Sequence, residues 1–103
     1  MTNRIKFEDI RKMYKEYADK IMRLGTERII ETEIPWEKVA WGRENGTQKI
    51  LPFFHKKAPD GTAQLFCICE NGQKQTMSNR DFAYIYDLWD KDGHLLHIAF
   101  YGF

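Results

Sequence analysis

Cysteine is scarce in this sequence, with Cys67 and Cys69 the only two among 103 residues. They stand two apart in an apolar run, where a disulfide would strain an extended backbone. A disulfide-stapled scaffold is therefore excluded, and two free thiols in a reducing compartment are the expectation. Long hydrophobic runs are missing as well, so no stretch reaches the length of a bilayer span. The opening MTNRIKFEDIRK lacks the apolar core of an export signal, which makes a cytoplasmic protein without membrane association the expectation. Charge of one sign is also missing. The formal net charge is +1, too small to draw the whole molecule toward nucleic acid or an anionic surface. Residues 1–57 carry 13 basic and 9 acidic side chains and residues 58–103 carry 3 and 6, so the halves differ mildly, at +4 and −3. Catalytic signatures are absent too: there is no G-x-S-x-G, P-loop, G-x-G-x-x-G or H-E-x-x-H.

What is plentiful is aromatic surface. Phe, Tyr and Trp make up 15% of the chain against 43% hydrophobic and 30% charged residues. A chain of this length is expected to form a single domain spanning residues 1–103 with a modest core. Ile10, Met13, Tyr14, Tyr17, Ile21 and Leu24 recur at steps of three and four, which predicts an amphipathic helix over 6–24 with Gly25 as its stop.

Beyond Gly25 the period changes to two. Asn45-Gly46, Asp60-Gly61, Asn71-Gly72 and Asp92-Gly93 are dipeptides suited to tight reversals. Strands are expected at 28–34, 39–43, 49–55, 62–70, 73–76 and 94–101. The 62–70 segment is apolar on both faces and reads as a central strand, whereas Pro52, with no N–H to donate, marks its strand as an edge or a bulge. Residues 78–89 fit a helix capped by Ser78 and Asp81, or alternatively a hairpin arm; the helix is preferred. The fold class expected is α+β: an N-terminal amphipathic helix packed on an antiparallel meander of four to six strands, with a second short helix or hairpin near the end.

Three functional readings follow. Asp87, Asp90, Asp92, His94 and His97 form the densest polar group, yet their spacing matches no calcium loop and strand geometry sends His94 and His97 to opposite faces. A small metal-assisted or acid/base enzyme built on them is one alternative, while no metal, cofactor or catalytic residue is expected. Cys67 and Cys69 read as small core side chains, since no second pair completes a four-ligand site. A nucleic-acid surface built from His55, Lys56, Lys57, Lys74 and Arg80 beside Phe53 and Phe54 is another alternative.

The preferred reading is a non-enzymatic module that binds another protein, with self-association the simplest variant. Trp36, Trp41, Tyr84, Tyr101 and Phe103 exceed what a small core accommodates and are its candidate contacts. Size alone suggests an accessory or inhibitor protein of a phage or mobile element.

Overall fold

A computed structural model describes residues 8–103, with side chains from Ile10 onward. The first seven residues, where the expected helix was to start, lie outside the described part. Helix α1 runs Glu8–Leu24 and ends at Gly25, whose φ of +82° is the left-handed conformation a glycine tolerates without strain. The chain does not pass into a strand there. Helix α2, Thr26–Thr32, follows at once, because a helix turns the consecutive Ile29 and Ile30 toward the same side, where a strand would send them to opposite faces; Ile29 is fully buried and Ile30 packs against the core. The expected 28–34 strand is thereby corrected. Lys20 of α1 reaches Glu33 at 3.5 Å and ties the two helices together.

Six strands then build one antiparallel sheet: β1 Trp41–Glu44, β2 Ile50–Lys57, β3 Ala63–Ile68, β4 Lys74–Thr76, β5 Tyr86–Trp89 and β6 Leu95–His97. Their spatial order is β4-β3-β2-β1-β5-β6. The first four form the expected meander, and the β5–β6 hairpin returns to the free side of β1. Gly61, Gly72 and Gly93 carry positive φ in their turns, while in the first turn that role falls to Gln48 at +65° rather than to Gly46.

Two positional expectations need correction. The strand containing Pro52 is interior, between β1 and β3. It tolerates proline because Phe53 donates its N–H to Ala40 on the β1 side at 2.9 Å, which turns the nitrogen of Pro52 toward β3, where the ladder begins only at Phe53↔Cys67. The 63–68 strand, in turn, lies one place in from the β4 edge and not at the centre.

Residues 79–89 resolve their ambiguity by doing both things in succession. Helix α3, Asn79–Ile85, is capped by Ser78, whose hydroxyl accepts from the Asp81 N–H at 3.1 Å, and it runs directly into β5. The helices cover one face of the sheet. There Phe53 meets Phe82 and Tyr86 edge-on at ring separations of 5.1 Å, beside Leu51, Leu65, Cys67 and Leu88.

Candidate functional site: the exposed aromatic surfaces

The expected polar constellation separates when the chain folds. His97 is fully buried on the covered face. Its Nε2–H donates to the Ala83 carbonyl at 2.6 Å, which leaves Nδ1 to accept from the Tyr17 hydroxyl. Burial holds the ring neutral, with its pKa down at about 4. Such a histidine has both nitrogens committed and no route to solvent, so it fastens α1 to β6 and does not titrate near neutrality.

Asp87 is likewise structural. One carboxylate oxygen accepts the Ala99 N–H at 2.8 Å and the other meets Arg43 at 2.9 Å. By contrast, His94 is exposed on the turn, 3.2 Å from Asp90. The side-chain ligand atoms of Asp90, Asp92 and His94 lie within 4.8 Å of one another, close enough to hold a cation. Asp90 is already engaged there: partial burial pushes its pKa upward, but N–H groups of His94 and Asp92 and the His94 ring outweigh this and hold it below the usual carboxylate range. The two histidines therefore share no pocket.

Cys67 and Cys69 both donate toward Oε1 of Gln75, at 3.5 and 3.7 Å, and Tyr86 donates to the same oxygen at 3.2 Å. Burial pushes the Cys67 thiol up to about 11, away from the thiolate that metal binding or nucleophilic attack requires.

The expected basic patch also divides. Lys56 and Lys74 face away from the helices. His55 and Lys57 alternate to the other side of β2 and line a groove that Glu37 enters and Lys56 borders. Arg80 pairs with Glu27 of α2 and lies 5.7 Å over the Tyr84 ring.

Of the five candidate protein-contact residues, three converge. The 3-10 turn Phe100–Gly102 places Phe103 against Tyr14 of α1, with ring centroids 4.5 Å apart, and Tyr14 donates to the Gly102 carbonyl at 2.7 Å. Tyr17 stacks on Phe100 and Phe103 from below at 6.3 and 6.0 Å. Tyr84 of α3 meets Phe100 at 5.1 Å and Tyr101 at 5.2 Å. The result is a continuous chain of rings whose inner members, Tyr17 and Phe100, are buried, while Tyr101 at 68%, Tyr14 at 42% and Phe103 at 42% stand in solvent.

Trp36 does not join them; it packs against the core from its own 3-10 turn, Trp36–Lys38. Trp41 is half-buried on the opposite face of the sheet, paired with Trp89 and Pro52. Sequence reasoning missed Tyr14, which it assigned to the buried stripe of α1. The only signal was its place at the edge of that stripe, a position that leans outward when the helix packs on Tyr17.

No protein-family model, curated protein or solved structure matches this chain. Among the described residues no helix is long and apolar enough to cross a membrane.

Proposed function

We propose that this protein works by binding another protein through Tyr14, Tyr84, Tyr101 and Phe103. The observation that carries the reading is the exposure of a pre-stacked group of rings fastened to buried ones. Tyr-rich clusters backed by a rigid core are what protein interfaces use as anchors, because they bring large contact area at low conformational cost. Here the anchors are held before any partner arrives, by the Tyr14–Gly102 hydrogen bond and by ring stacking. The separation of His94 from His97 and the high thiol pKa of Cys67 support a non-enzymatic reading. Beside Tyr14, α1 exposes Arg11 and Lys15. The complementary surface is thus apolar at its centre and mildly acidic at its rim. A small accessory or inhibitor protein of a phage or mobile element needs no more equipment than this.

The test is a matched capture experiment from the native host, using the natural sequence and the double variant Tyr101→Ala/Phe103→Ala, preceded by measurement of mass in solution. A stoichiometric protein lost with the double variant is the expected result. A dimer of the natural chain that the double variant abolishes would assign the surface to self-association. Capture unaffected by the double variant would overturn the proposal.

A further inference from the structure

The sheet face turned away from the helices has a composition unlike the aromatic cluster just described. Alternation along β2 sends Pro52, Phe54 and Lys56 to that side, and along β3 it sends Gln64, Phe66 and Ile68. Phe54 and Phe66 are directly opposite in register. Their rings stack at 5.6 Å with planes 28° apart, and Phe54 remains 46% exposed although it sits in an interior strand. On the far side of β3, Lys74 places its ammonium 4.3 Å from the centre of the Phe66 ring.

Beside this pair runs a groove of about 330 Å³, lined by Lys56, Gln64, Phe66, Thr76, Met77 and Ser78 among others, with no carboxylate in its wall. Lys20, Arg43, Lys49 and Arg80 each have a carboxylate partner. Among the described residues Lys56 and Lys74 have none, so two cations flank two stacked rings without local neutralisation.

We infer that this face binds single-stranded nucleic acid, with a base stacked on the exposed Phe54 ring, which Phe66 backs, and the flanking phosphates on Lys56 and Lys74. The chemistry selects the ligand. A flat aromatic surface accepts any base that offers a free π-face, and the bases of a single strand do so whereas those of a duplex are already stacked on their neighbours. An acidic peptide would satisfy the lysines but leave the platform uncovered. An apolar peptide would do the reverse and strand two unpaired ammonium groups at its edge. Near-neutral net charge gives no long-range attraction, so two phosphate contacts supply the electrostatic part. Affinity is then modest, and log K falls against log salt with a slope of about −1.4. This surface lies across the sheet from the protein-binding cluster, and neither proposal needs the other.

Labelled oligothymidylate and a duplex of equal length, titrated by fluorescence anisotropy at two salt concentrations, supply the test. Binding of the single strand in preference to the duplex is expected, weakened about tenfold by Phe54→Ala and retained by Phe54→Tyr, which keeps a ring for stacking. Adjacent lysines provide the sharper comparison. Lys56→Ala should weaken binding and flatten the salt slope by about half, whereas Lys57→Ala, an identical change of charge on the other side of β2, should do neither. Because Phe54 is half-exposed, an unchanged melting temperature for Phe54→Ala keeps loss of binding separate from loss of fold. No binding at low salt, equal affinity for duplex, or equal losses from the two lysine variants would overturn the inference. So would a protein partner that loses contact on Phe54→Ala while the oligonucleotide fails to bind.

Discussion

Both faces of the six-stranded sheet carry paired aromatic rings, and the helices cover only one of the two faces. On the covered face the buried rings are fitted to neighbours: Gly42 has no side chain because the Phe53 ring occupies the space a Cβ would need, and the buried His97 is satisfied at both nitrogens. On the open face Phe66 lies between Phe54 and the Lys74 ammonium, while Phe54 is still 46% exposed. Near-identical residue types are thus packed into the core on one side and left exposed on the other. What separates them is whether a second layer of chain has been laid on top. Substitutions should sort accordingly: those on the covered face should change stability, and those on exposed aromatics should change binding.

The largest effect belongs to His97→Ala. It opens a cavity and strands both the Tyr17 hydroxyl and the Ala83 carbonyl, so a loss of about 4 kcal/mol in chemical denaturation is expected. Acid should reproduce most of that loss in the natural sequence. The folded-state pKa of His97, about 4, lies below the ~6.5 of an unfolded histidine, so the unfolded chain binds the extra proton first. Stability is then complete above pH 6.5 and falls as pH drops toward 4, by about 3 kcal/mol in all. Denaturation midpoints across that window should slope for the natural chain and flatten for His97→Ala.

Gly42→Ala follows, at about 2 kcal/mol from overpacking against the wedged Phe53 ring. Last come Tyr101→Ala and His94→Ala, each expected to alter stability by less than about 0.5 kcal/mol, since both side chains stand largely in solvent. A large stability loss from Tyr101→Ala would break the distinction between cohesive and contacting rings.

The elements that depend on local pattern were legible in the chain. The period of α1, the Ser78–Asp81 cap and three of the four glycine turns each follow from residues within a few positions of one another. What could not be read depended on pairing at a distance. Ile29 and Ile30 suit a strand as well as a helix, and only a core waiting beside Gly25 decides for α2. Pro52 looks like an edge residue until β1 and β3 are known to share β2 at that point. The site was partly legible for the same reason. Tyr84, Tyr101 and Phe103 were singled out as surplus rings, but their convergence on Tyr14 is made by the turn at Phe100–Gly102, and the division of Lys56 from Lys57 is made by which side of β2 the helices cover.

Contact at exposed rings is the mode of action proposed for this protein. Its most direct test is the amount of stoichiometric protein partner retained by Tyr101→Ala/Phe103→Ala relative to the natural chain, with both proteins verified as folded by their melting temperatures. Because Phe103 is partly buried against Tyr14 and Tyr17, a melting temperature lowered by only about 5 °C and at least a tenfold loss of partner are expected. Full retention of partner by a folded double variant would contradict the proposal.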